Sequence, residues 1–150
     1  MMTTTGESWY GKLKNIGLFR HGALNHIFEG ELNRNIAGGY HYEGIPNTPG
    51  RIVPGTEIFS DMNGVYQGKV TVYGVRKPTN GGESSFFPKS MSPQDVVDSI
   101  NEAYGRRHRI WGNAYEGETL SGMRISMCLD KSEKIISAYP VYEGPEEGTF

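Results

Sequence analysis

Between residues 33 and 64 the chain carries Gly38, Gly39, Gly44, Pro46, Pro49, Gly50, Pro54 and Gly55. Proline lacks the backbone donor of helices and ladders, and glycine raises the entropic cost of ordering, so no long helix or long strand can run through this stretch. About thirty irregular residues inside a compact domain are unusual, and when present they tend to carry function. The rest of the chain must therefore pack its regular elements around a long connection. With 21 glycines in 150 residues, the sequence predicts many turns and little long helix.

The regular elements lie on either side. Residues 8–32 are mixed enough for one or two short helices, with apolar positions Leu18, Phe19, Leu24, Ile27 and Phe28. Residues 65–75, VYQGKVTVYGV, alternate as a strand, with Tyr66, Gly68, Val70, Val72 and Gly74 on one face and Gln67, Lys69, Thr71 and Tyr73 on the other. A turn is expected at 80–82, NGG. The clearest helix is SPQDVVDSINEAYG: Ser92 caps it, Pro93 suits the first helical position, Asp95 complements the N-terminal dipole and Gly105 suits the C-terminal cap. Strands near 107–115, 122–129 and 134–142 follow, the last two joined by the polar turn DKSE. Without the strand–helix alternation of a parallel sheet, the class is α+β in one domain of residues 1–150.

Composition excludes several classes. The longest apolar run is about six residues, against the ~20 needed to span a bilayer, so no membrane association is expected. The start MMTTTGESWYGK lacks the basic flank and apolar core of a secretory signal. The lone Cys128 excludes an internal disulfide and a multi-thiolate zinc site, and its apolar strand suggests a buried packing residue. Trp9, Trp111 and most tyrosines read as core or half-buried strand residues. Net charge is −2 and gives no global sign of nucleic-acid binding, although the N-terminal half is mildly cationic.

Three of the four histidines, His21, His26 and His41, crowd one window; His108 stands in the solvated basic run GRRHRI. Two imidazoles flanking a phosphodiester suit RNA cleavage. With a reference pKa near ~6.5, one can take the ribose 2′-proton while the other protonates the departing 5′-oxygen. A nearby cation would stabilise the phosphoryl oxygens, and Lys69 is assigned that place because its strand puts it on the polar face; Lys77 and Lys89 lie downstream. No cofactor or metal is required. In KIISAYPVY, period-two alternation sets Ile135, Ser137, Tyr139 and Val141 on one face, so Ser137 and Tyr139 can bond and stack on a base.

Taken together these residues resemble the bacterial EndoU nucleases. The likeness rests on His26-Ile27-Phe28-Glu29-Gly30-Glu31, on GGYH ending at His41, on FFPKSMSPQDVVDSI and on KIISAYPVY, in that order over residues 22–142. It implies an N-terminal helical segment followed by antiparallel sheets with one well-defined helix. It further implies a metal-independent endoribonuclease that cuts single-stranded RNA, often at uridine, leaving a 2′,3′-cyclic phosphate. His26 and His41 become the acid–base pair, Lys69 the third member, and Ser137 and Tyr139 the base-side residues; Ser137 stands where Thr is also common. Many members are toxin domains of larger secreted effectors that act in the cytoplasm of a target bacterium, with tRNA as a candidate substrate and a cognate immunity protein as partner.

Other readings stay open on the residues alone. His21 is a substrate contact or a surface residue. Glu29 and Glu31 with His21 and His41 would make a metal-dependent nuclease, if their geometry converged. A chain that kept the cleft without cleaving would be an RNA-binding module.

Overall fold

The computed structural model describes residues 10–145. Its longest helix, α2 (Pro93–Gly105), starts where the sequence places it, because Ser92 and Asp95 form a reciprocal capping box with Pro93 in the first turn. Val96, Val97, Ile100 and Ala103 recur on one side and are fully buried. At the other end Gly105 is the last helical residue and Arg106 is the cap, so the expected glycine cap is displaced by one position. A shorter α-helix, α1 (Ala23–Phe28), buries Leu24, Ile27 and Phe28. It lies in the segment 8–32, where one or two short helices are expected.

The C-terminal part forms a four-stranded antiparallel sheet in the order β10-β9-β8-β7, from β7 (His108–Trp111), β8 (Ala114–Glu118), β9 (Arg124–Leu129) and β10 (Ile135–Pro140). The expected strand at 107–115 is a hairpin instead, reversing at Gly112 with φ +53°. One face of this sheet carries Ile125, Met127, Leu129, Ile135 and Ala138 into the main core with α1 and α2. Cys128 alternates with them and is half-buried on the opposite face, not a core residue. Trp111 also departs from expectation: three-quarters of its surface is exposed. Trp9 lies outside the described residues.

Strand alternation is interrupted in β10 by a bulge between Ile135 and Ser137. One extra residue turns the following side chains over. Ile135 is therefore buried with Ala138 and Pro140, while Ser137 and Tyr139 share the outer face. The single expected face with Ile135, Ser137 and Tyr139 together is corrected by that bulge.

A second group of strands surrounds β4 (Tyr66–Val72). The neighbours are β3 (Gly50–Ile52), β5 (Val75–Arg76) and β6 (Glu83–Phe86), all antiparallel to it. The predicted strand at 65–75 bends back at Tyr73 and Gly74, both with positive φ, which creates the β4–β5 hairpin. A kinked 3₁₀-type turn, Thr79–Gly82, with Asn80 and Gly81 at positive φ, accounts for the expected NGG turn and leads into β6, a strand the sequence did not suggest. The Gly/Pro-rich stretch is less irregular than it reads. Besides β3 it contributes β2 (Ile36–Gly38), paired with β1 (Glu31–Asn33). Tyr40, Tyr66, Val70, Val72 and Phe86 form a second buried cluster here. No helix of the described residues is long and apolar enough to cross a membrane.

Two glycines in this frame should respond oppositely to one methyl group. A Cβ on Gly117 of β8 would overlap the Ala103 backbone of α2, whereas one on Gly105 would meet nothing within 4 Å. Gly117→Ala should therefore lower unfolding stability by about 1–3 kcal/mol in urea titration. Gly105→Ala, relieved of glycine's backbone entropy, should leave it unchanged or raise it by up to about 1 kcal/mol.

Candidate active site

His41 sits on the short connection that leaves one core and enters the other. Tyr40 before it packs in the second cluster and Tyr42 after it in the main one. Its backbone is held on both sides, the N–H donating to Ile27 at 2.7 Å and the carbonyl accepting from Phe87 at 2.9 Å. The side chain is equally constrained. Nδ1 lies 2.8 Å from the Ser85 carbonyl, and since a carbonyl only accepts, Nδ1 carries the proton. In the neutral ring Nε2 is then the free acceptor. Burial, above all, and the nearby Lys77 ammonium hold the His41 pKa well below its usual 6.5, against the opposing pull of the Ser85 carbonyl; His26 adds to the depression.

His26 lies in the last turn of α1, its ring centroid 6.3 Å from that of His41. The GGYH turn makes this approach possible. Gly39 has φ +76°, and any side chain there would overlap the His26 carbonyl, which instead accepts the Tyr40 N–H at 2.8 Å. His26 Nδ1 is 3.4 Å from the Glu31 carboxylate at the start of β1. Burial lowers its pKa and Glu31 raises it, while Lys77 lowers it further; the net shift is downward. The two rings thus differ in partner: a carbonyl for His41, a carboxylate for His26.

The lysine that joins them is Lys77, not Lys69. Alternation along β4 does put Lys69 on the outer side, but there it is exposed, opposite Glu83, and does not line the cleft that holds the histidines. The Tyr73–Gly74 reversal instead brings the Lys77 N–H to the Val70 carbonyl at 3.0 Å. From there Lys77 Nζ donates to Ser84 Oγ at 2.6 Å and reaches the Gly39 carbonyl at 3.5 Å. Burial brings its ammonium down to about 8. The positive-φ dipeptide Tyr73-Gly74 was the sequence signal for this hairpin. Lys89 pairs with Glu57 at 3.1 Å on the surface, away from the cleft.

The cleft, about 710 Å³, is completed by the outer face of the C-terminal sheet, including Ser126, Ser137 and Tyr139. Tyr139 stacks on His41 with centroids 5.3 Å apart and an angle of 25° between the rings. Ser85, missed in the sequence, joins the two halves: its hydroxyl donates to the Pro140 carbonyl at 2.5 Å while its own carbonyl holds His41. His21 is not part of this cleft. It is exposed and borders a separate apolar depression with Tyr10, Ile16, Phe19 and Leu24, which corrects its assignment as a substrate contact. Glu29 accepts a hydrogen bond from Tyr10 at 2.5 Å, and among the described residues no three His, Cys, Asp or Glu side chains gather as a metal site would require.

Comparison with known proteins agrees with this arrangement of elements. The family model described as bacterial EndoU nuclease matches residues 20–142. A Bacillus cereus protein named "Toxin" is 50% identical over 129 residues, which covers 85% of this chain and 24% of that protein. The chain thus spans about a quarter of that relative's length. No solved structure matches.

The electrostatic coupling gives a direct check on the lysine. In ring-proton NMR titrations His41 should stay neutral to well below pH 6.5. Lys77→Met, by removing a positive charge, should raise that titration, whereas Lys69→Met should leave it unmoved. The reverse result would return the cation to Lys69.

Proposed function

Because the chain belongs to the bacterial EndoU nuclease family, we propose that its cleft cuts single-stranded RNA by attack of a ribose 2′-oxygen on the adjacent phosphate. The observation that carries this reading is the pair of imidazoles, 6.3 Å apart, under one buried lysine ammonium. His41, neutral and held in one tautomer by the Ser85 carbonyl, accepts the 2′-hydroxyl proton at Nε2. The 2′-oxygen bonds to phosphorus as the bond to the 5′-oxygen breaks, and His26, whose protonated form Glu31 favours against the larger effect of burial, gives its proton to that leaving oxygen. The products are a 2′,3′-cyclic phosphate and a free 5′-hydroxyl. Lys77 stabilises the charge gathering on the phosphoryl oxygens. With its pKa near 8 it is mostly protonated at neutral pH.

On this reading Ser137 bonds the edge of the base preceding the cut and Tyr139, already stacked on His41, lies beside it. A hydroxyl that both donates and accepts suits uracil, with its adjacent N–H and carbonyls. The chain is further read as a toxin module of a larger secreted effector, supported by the name of the Bacillus cereus relative, of which it spans about a quarter. Its site of action is then the cytoplasm of a target bacterium, its target an RNA with single-stranded loops such as tRNA, and its partner an immunity protein that covers the cleft.

Incubation with total RNA in EDTA, followed by analysis of the new 3′ ends, tests the chemistry. Cyclic phosphates after uridine are expected; loss of cleavage in chelator, or turnover of DNA at a similar rate, contradicts the mechanism. Synthesis in a bacterial cytoplasm should arrest growth, and His41→Ala should abolish the arrest.

The pH dependence follows from the two shifts. Rate rises as His41 loses its proton and falls as His26 loses its own, so the profile is bell-shaped, its limbs belonging to the pair. Both pKa values lie below 6.5, which sets the maximum of kcat/KM on the acid side of 6.5. Glu31→Gln removes the upward pull on His26 and should move the falling limb to lower pH. Lys77→Met should lose at least about 100-fold in kcat, and Lys69→Met should stay near the wild type.

A further inference from the structure

Cross-strand register places Ser137 opposite Cys128, Cys128 opposite Ala114, and Ala114 opposite Trp111. Directly opposed residues in an antiparallel sheet share a face. These four side chains therefore form one row across the outer face, from the base-side end of the cleft to the far edge of the sheet. The row exists only because of two bulges. That between Ile135 and Ser137 turns Ser137 outward, and that between Arg109 and Trp111 moves Trp111 off the face of Arg109 and onto this one. Two side chains brought to the same face by independent irregularities, with only Cys and Ala between them, leave a shallow floor bounded by Tyr139 and Trp111. Their rings are 37% and 75% exposed.

We propose that this floor extends the cleft into a second stacking subsite, in which Trp111 receives a base of the same single-stranded RNA a few nucleotides from the cleaved bond. The proposal rests on the reading of the substrate as RNA. Three strand spacings separate Ser137 from Trp111, roughly 14 Å. That span suits a few nucleotides of extended chain crossing the small side chains between. Trp111 presents the largest π-face available for base stacking, and an aromatic ring held open to solvent at a sheet edge is the form such platforms take. The edge around Trp111 is polar and charged rather than apolar. Arg109, on the opposite face of the strand, donates from Nε to the Gly112 carbonyl at 2.8 Å and so fixes the hairpin that carries Trp111. His108 shares the outer face. The acids on the same face are Glu116, paired with Arg124 at 3.0 Å, and Glu118, which lies opposite Arg124.

The test compares two RNAs cut by the intact chain: a dinucleotide, which reaches only the cleavage site, and an oligonucleotide of about eight residues with one central uridine, long enough for the extended site. Trp111→Ala should raise KM on the longer RNA roughly tenfold or more, leave kcat unchanged, and leave the dinucleotide unaffected. Trp111→Phe should recover most of the loss. The melting temperature should not move, since the ring packs against little. Unchanged KM on the longer RNA overturns the subsite and leaves the exposed edge to a protein partner. An equal effect on both RNAs overturns it too, because Trp111 would then act through the cleft itself. If the wild type cuts neither RNA, the RNA reading fails, and the subsite falls with it; cleavage that is indifferent to Trp111 overturns the subsite alone.

Discussion

Ser85 makes two bonds that belong to different halves of the molecule. Its carbonyl accepts the His41 Nδ1–H, and its hydroxyl donates to the Pro140 carbonyl at the end of β10. The first fixes which nitrogen of His41 is free; the second ties β6 to the strand that carries Ser137 and Tyr139. A buried polar group left unpaired costs about 1–3 kcal/mol, so each bond constrains the position of its partner. The two cores could pack at many small offsets on hydrophobic contact alone, because apolar burial is non-directional. These hydrogen bonds select one offset. The stacking of Tyr139 on His41 is a consequence of the same closure.

Charge in the cleft is arranged around one buried cation. Burial, with Lys77 adding to it, depresses both imidazoles below their usual value, while burial brings Lys77 itself down to about 8, toward the range where protons move at ordinary pH. What separates the histidines is their second partner. A carbonyl orients His41 without adding negative charge, while the Glu31 carboxylate favours the protonated form of His26. The two otherwise similar rings are thereby distinguished by their surroundings.

Much of this was legible residue by residue. The Ser92 cap and the Pro93 start of α2 depend on contacts within a few positions, and they form as read. The Gly38-Gly39 pair marked a close approach, although not to which atom. Lys69 was misplaced despite a correct alternation, since a strand's polar face says nothing of what lies above it. Reading β4 through to residue 75 hid the Tyr73–Gly74 reversal, and with it the return of Lys77 to the histidines. β6 escaped notice because Glu83, Ser84 and Ser85 carry little strand propensity; pairing with β4 supplies what propensity lacks.

By itself the sequence determined the kinds of chemistry available, two closely spaced histidines, a Gly-Gly turn and a Ser-x-Tyr strand end, together with the locally encoded helix and the β9–β10 hairpin. These follow from side-chain type and from interactions that span a turn or a strand period. Only the tertiary structure decided which lysine lines the cleft with the histidines, the tautomer of His41, the outward turn of Ser137 and the exposure of Trp111. Each rests on a hairpin reversal, a bulge or a hydrogen bond between segments tens of residues apart, and none of these is fixed by the identity of the residue it moves.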